Sequence, residues 1–311
     1  MARIEPAGAE ASTSGAGTRT GEADRPGLAI ALYVLAIGTF VSMDAIAKQL
    51  TREGLAPEQV IGLRYFLALS LLAPAVAWRR RARPLAVARP GLQALRGLFV
   101  IAAATLFVYS VRALPLATTT AIAFVSPLFV TVLSILFLKE QVGVRRWAAI
   151  VVGFLGVLAI LRPGGDAFSF AMLLPIASSV CWACSLVITR AMRSGERPFS
   201  TLVWTTAVGC LAIAPLALAV WRPPDAGQMG LIAVLAGLHV AAQLLTIRAF
   251  SLAAATALAP FTYVSLVWAT AIGYLAFSAL PDGRTFLGAA ILAVAGLYVW
   301  RREQAAARKR L

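Results

Sequence analysis

Ten long apolar runs separated by short polar breaks constrain this chain more than any other feature. They lie at residues 28–50, 57–78, 90–112, 115–138, 145–161, 168–190, 199–221, 228–250, 253–277 and 284–301. A helix needs about 20 residues to cross about 30 Å of hydrocarbon, so each run can form one crossing. The runs are continuously apolar rather than alternating, which argues against the strands of a membrane barrel. Pro57, Pro90, Pro115 and Pro198 stand at the starts of runs, where a missing N–H does no harm. The pattern therefore predicts an all-α integral membrane protein with ten transmembrane helices, and its short breaks leave no room for a soluble catalytic domain.

Charge supplies the orientation. The chain is 60% hydrophobic and only 13% charged, yet its net charge is +15. In a soluble protein such basicity suggests nucleic acid; in a membrane protein it marks cytoplasmic loops. With the N-terminus inside, 20 of the 28 Lys and Arg residues fall at cytoplasmic ends, 6 at outer ends, and Arg64 and Arg96 within spans. That distribution fits a multi-pass inner-membrane protein with both termini in the cytoplasm and speaks against a nucleic-acid partner. Residues 1–26 are rich in Ala, Gly, Ser, Thr and Glu with no apolar run, and read as a disordered cytoplasmic tail rather than a signal peptide; residues 303–311 read as a basic cytoplasmic tail. Three cysteines inside apolar runs (Cys181, Cys184, Cys210) and a single histidine give no disulfide framework and no metal centre. No cofactor is expected.

The chain also repeats itself. RALPLATTTAIA, from Arg112, aligns with RAFSLAAATALA, from Arg248, at 7 of 12 positions, four of them alanines in an alanine-rich chain. Pro57 matches Pro198 and Gly156 matches Gly296 at nearly the same offset. Two repeats are expected, residues 27–165 and 166–302. Five spans per repeat is odd, so the halves enter the membrane in opposite directions, as in secondary transporters, whose solute site lies near the midplane.

The few polar groups inside the spans are the candidate site. Asp44 is the only acid well inside a span. It lies roughly 6 to 10 Å below the outer boundary at about 1.5 Å per residue. Lys48 follows at i+4 and Arg64 of the second span lies at a similar depth; the three form either a structural ion pair or gate, or a group that handles solute or protons. Arg96 reads as a side chain snorkelling to the cytoplasmic interface. His239, with Gln243 one turn later, offers a donor and acceptor row or an interhelical hydrogen bond. Trp78, Trp221 and Trp300 lie at span ends as interface anchors. Tyr65, Trp182, Trp204, Tyr263 and Trp268 lie deeper, as packing or as the lining of a pocket. Pro127 and Pro260 interrupt the fourth and ninth spans at similar repeat positions, the sequence pointer to a transport site, which places the pocket around Phe124, Ser126, Pro127, Pro260, Thr262 and Tyr263. Small-residue rows, 149–153 and 289–293, permit close helix contacts within one chain or in a homodimer.

LPLATTTAIAFVSPLFVTVLSILFLKEQVGVRRWAAIVVGFLGVLAILRPGG, from Leu114 to Gly165, resembles the fourth and fifth helices of the EamA-type transporters of the drug/metabolite transporter superfamily. Met43-Asp44 with Lys48, then Arg64, and the closing PDGRTFLGAAILAVAGLYVWRRE are similar to one branch of that group. The resemblance implies alternating access of a small organic solute such as an amino acid, riboflavin or S-adenosylmethionine, in either direction, with a proton or counter-solute as the driving partner. It marks Glu140 and Asp282 as loop and packing features. The leading expectation is an exporter or exchanger of an amino acid or related amphipathic solute. The alternatives are an uptake carrier for a nucleoside-like or vitamin-like metabolite, or a non-transporting assembly subunit. An enzyme is not expected, since one deep Asp and one His form no catalytic cluster.

Overall fold

A computed structural model describes residues 26–78, 86–138, 144–162, 169–192, 197–253 and 255–308. Of the tail expected over residues 1–26, residues 1–25 lie outside the described residues and Pro26 starts the first helix; the basic loop at 79–83, Lys139, Glu140, Arg193 and the Lys309–Arg310 end also lie outside the described residues. Among the described residues every regular element is a helix: α1 (Pro26–Arg52), α2 (Pro57–Trp78), α3 (Pro90–Ala113), α4 (Leu116–Ala123), α5 (Ser126–Leu138), α6 (Val144–Leu161), α7 (Leu173–Ala191), α8 (Pro198–Ala219), α9 (Ala226–Leu252), α10 (Ala255–Leu258), α11 (Val264–Phe277) and α12 (Gly283–Arg308). Single 3-10 segments at Phe170–Met172 and Ala259–Tyr263 precede α7 and α11.

These elements make ten crossings. Eight apolar helical stretches are long enough to span a membrane, the fourth being α4 with α5 (Leu116–Leu138) and the ninth Pro260–Phe277; two shorter ones, Ile150–Leu161 and Gly283–Tyr298, are the fifth and tenth. The last helix runs on to Arg308, past the end of the apolar run. Large apolar side chains face outward, among them Leu136, Phe137, Leu211 and Leu275. Water would penalise such a surface; hydrocarbon accepts it.

Packing follows the repeat. The first span (α1) packs on the eighth (α9), and the third (α3) on the sixth (α7). Exchanging the two sets of five spans turns one pair into the other. The second and seventh spans (α2, α8) pack on each other, as do the fifth and tenth (α6, α12), and each of these pairs maps onto itself. A core of Met43, Leu50, Ile61, Tyr65, Ile213, Ile232 and Leu235 fills the space between α1, α2, α8 and α9. A second core of Ile122, Val125, Val157, Ile160 and Leu292 joins α4, α6 and α12. The backbones of α6 and α12 nearly touch: a Cβ on Gly288 would come 2.5 Å from the Gly156 carbonyl oxygen. Where lipid competes equally for apolar surface, such small-residue contact is what holds two helices together.

Candidate functional site

The two interrupted helices frame one side of the candidate site. In the fourth span α4 ends at Ala123 and α5 begins at Ser126. Pro127 has no N–H for the Ala123 carbonyl four residues back. The Ser179 hydroxyl of α7 shares its single proton between that oxygen, at 3.2 Å, and Pro175 O, at 2.8 Å. In the ninth span Pro260 sits in the 3-10 segment between α10 and α11. The breaks bring Phe124 and Tyr263 together edge to face, with ring centroids 5.1 Å apart. Thr262 shares a hydrogen bond with the Tyr33 hydroxyl of α1 at 3.1 Å. Trp268 lies against α1 at Gly38, where a Cβ would meet its indole at 2.9 Å. Ser126 and Pro260 are half-buried and Pro127 is exposed.

A polar group lies between α1, α2 and α9. Arg64 is 3% exposed; its Nη1 approaches the Met43 sulfur at 3.7 Å, and its guanidinium carbon stands 5.0 Å from the Tyr65 ring centroid. Its Nε is buried without a hydrogen-bond partner among the described residues. Tyr65 in turn meets His239 at 5.3 Å between ring centroids and rests on α8 at Gly209, where a Cβ would lie 2.6 Å from its ring. His239 is buried, and its Nδ1 also lacks a partner among the described residues. Asp44 is half-buried.

The three charges expected to lie together make no direct ion pair in this structure. Among the described residues no ion pair within 4.0 Å joins Asp44 to Lys48 or Arg64. Lys48 turns to the end of α3, where its ammonium donates to Val111 O and, at 2.6 Å, to Leu114 O. Carbonyls at a helix C-terminus carry the negative end of the dipole, so they satisfy a buried ammonium without a carboxylate. The i+4 spacing from Asp44 is real, but the packing of α1 on α3 decides where Lys48 goes. Asp282, by contrast, accepts the Thr285 N–H at 2.9 Å at the start of α12 and pairs with Arg162, the loop role expected of it.

Arg96 is also placed differently from the expectation. It does not snorkel to the interface: its Nε donates to the Thr189 hydroxyl of α7 at 2.7 Å and its Nη1 donates to the Thr205 hydroxyl of α8. Depth alone suggested an interface residue; the packing of α3 on both α7 and α8 offers acceptors inside the bundle. Thr189, Thr205 and Ser179 were not legible as interhelical partners because single hydroxyls in apolar spans look like helix back-bonding. Of the remaining candidates, Gln243 is half-buried one turn beyond His239, and Trp182 of α7 is 43% exposed. Among the described residues no ring contact brings Trp182 to either group.

The comparisons with known proteins agree with this architecture. The profile of the EamA-like transporter family matches residues 28–162 and again residues 169–301. An S-adenosylmethionine uptake transporter of Rickettsia bellii is 28% identical over 91% of this chain and 97% of its own. A riboflavin transporter of Vibrio cholerae is 29% identical over 90% and 95%, and a pseudopaline exporter of Pseudomonas aeruginosa 26% over 88% and 96%. One solved protein superposes with a TM-score of 0.59 at 17% identity, over 89% of this chain and 98% of its own, a likeness of fold alone. Ten helical crossings built from two matches to one family, with relatives named as transporters along nearly their whole length, establish that the chain belongs to the EamA-like transporter family.

Proposed function

We propose that the protein is a secondary carrier that takes up a small amphipathic metabolite bearing an amino-acid-like charged end, across a bacterial inner membrane, by alternating access with both termini in the cytoplasm. The observation that carries the reading is the pair of opposite charges, Asp44 and Arg64, held in adjacent helices without pairing to each other. A charge within a span costs a few kcal/mol and is kept where a partner or cavity meets it. A solute ammonium facing Asp44 and a solute carboxylate facing Arg64 would supply both partners. Tyr65, Phe124, Tyr263, Trp268 and Trp182 are the rings for the solute's apolar part, and His239, Gln243, Ser126 and Thr262 its neutral polar contacts. Pro127 and Pro260 give the two broken spans their freedom to bend, and Lys48 ties the outer end.

The relatives carry both halves of this chemistry. S-adenosylmethionine joins an amino-acid end to a nucleoside, whereas riboflavin has a ring system with neither carboxylate nor amine. The site's charges favour the former class. The leading sequence expectation was export or exchange; the S-adenosylmethionine relatives, named for uptake, favour the inward direction. A proton or counter-solute is the proposed driving partner.

Reconstituted protein tests this directly. Proteoliposomes should accumulate radiolabelled S-adenosylmethionine or an L-amino acid when a gradient is imposed, and Asp44→Asn and Arg64→Gln should each lower kcat/KM by about 30-fold or more, the cost of unpairing a buried charged contact. Riboflavin uptake indifferent to both substitutions would move the protein to the vitamin class. Movement of none of these solutes would overturn the carrier reading.

A further inference from the structure

Arg96 is a half-buried cation inside a span, and its surroundings differ from those of the buried Arg64. It lies six residues into α3 from the predicted cytoplasmic end. Among the described residues no carboxylate lies within 4.0 Å of it, and its third nitrogen, Nη2, makes no hydrogen bond. Both of its partners are neutral hydroxyls, and each already donates its own proton along its helix, Thr189 to Ser185 O and Thr205 to Thr201 O, both at 2.7 Å. The cation is therefore held by lone pairs alone. A carboxylate offers a guanidinium two parallel charge-assisted bonds, which are stronger than bonds to hydroxyls.

Position links this cation to the first site. Thr205 and Gly209 are one turn apart on the same face of α8. Tyr65 rests on Gly209 and Arg96 binds Thr205, so the two arginines stand at successive levels along one helix face, Arg64 toward the predicted outer side and Arg96 toward the inner. The bonds to Thr189 and Thr205 also cross between halves: α3 belongs to the first family match, α7 and α8 to the second.

Building on the carboxylate-carrier reading above, we propose that Arg96 is a second carboxylate station, which receives the solute's carboxylate on its way to the inner face and, by pairing with it, lets go of Thr189 and Thr205. Arrival of the solute then loosens a tie between the two halves, so that occupancy and inward opening are one event. A solute without a carboxylate leaves the tie intact.

The test compares solutes that differ only in the carboxylate, from each side of an oriented membrane. The probes are L-methionine with 3-methylthiopropylamine, and S-adenosylmethionine with its decarboxylated form. Arg96→Gln should raise KM about tenfold at the inner face for whichever carboxylate-bearing member is moved, equivalent to one lost contact of about 1.4 kcal/mol. Its outer-face KM, and either KM for the decarboxylated partner, should stay within about twofold. The Thr189→Val/Thr205→Val double variant keeps the cation and removes its competitors, so it should lower the inner-face KM and raise the accessibility of the inner cleft to a membrane-impermeant thiol reagent at an introduced cysteine. An equal rise at both faces, an equal effect on the decarboxylated solutes, or an unchanged inner-face KM in the threonine variant would each reduce Arg96 to a structural tie and overturn the proposal. Wild-type protein that moves neither member of either pair would overturn the carrier reading itself, and this one with it.

Discussion

The two ends of the bundle are closed by different chemistry. At the predicted outer end, beside the side-chain pairs Arg162–Asp282 and Tyr109–Glu58, several side chains reach for backbone. Gln59 is fully buried and pairs both halves of its amide with Arg222, donating to its carbonyl at 2.5 Å and accepting its N–H at 3.1 Å. Lys48 takes two carbonyls at the end of α3. Gln228, part of the capping box that starts α9 with Asp225, donates to Glu53 O at 3.5 Å. At the predicted inner end the contacts across the halves run largely between side chains: Arg96 to Thr189 and Thr205, and Gln93 to the Thr201 hydroxyl at 3.1 Å. A backbone carbonyl cannot leave without moving its chain, whereas a hydroxyl turns about one bond. The backbone ties of the outer end thus move only with the chain, whereas the hydroxyl ties of the inner end can turn away from their partners.

Substitutions can break or sharpen that contrast. The largest effect is expected at the solute level between the two ends: Arg64→Gln should cost about 30-fold or more in uptake, with a size-exclusion profile like that of wild type. Next comes Gln59→Ala, which removes two hydrogen bonds to the backbone of Arg222 and should cost about 1 to 3 kcal/mol at about 0.5 to 1.5 for each bond. Thermal unfolding in detergent reads this as a clear fall in Tm, while Thr205→Val should cost about 1 kcal/mol or less. Equal falls for the two would end the distinction between backbone ties and hydroxyl ties. Gly209→Ala, which pushes a methyl into the Tyr65 ring, should cost about 1 to 3 kcal/mol by overpacking and slow transport beyond its effect on stability. The smallest effect is expected at the rim. Arg162→Gln removes an ion pair whose Asp282 side chain is 50% exposed, worth about 0 to 1 kcal/mol, and Asp282 keeps its capping bond to Thr285, so Tm should barely move.

Much of the architecture was legible because it follows from one requirement, that backbone in hydrocarbon be internally bonded. The runs gave the spans, and Pro127 and Pro260 gave the breaks at α4/α5 and α10/α11, because proline removes a donor wherever it sits. The two arginines show where such reasoning ends. Arg64, placed inside the second span, is buried among helices, whereas Arg96, assigned to the interface by depth, found its acceptors sideways. Lys48 failed for a related reason: periodicity reports neighbours on one helix, and its partners belong to another. Lateral partners depend on which helix packs beside which, and an apolar run carries that information only weakly when most of its faces are Ala, Leu and Val.

The bond from Ser179 to the Ala123 carbonyl has a mechanical meaning. Ala123 and Pro127 belong to the first family match and Ser179 to the second, so the pin of the bend in one half is mounted on the other. If the fourth span flexes there, its freed carbonyl stays covered only as long as α7 travels with it. The two halves cannot then swing as independent levers. In the proposed cycle that hydroxyl is one of the ties between the halves, and a methyl in its place would leave the Ala123 carbonyl without this partner.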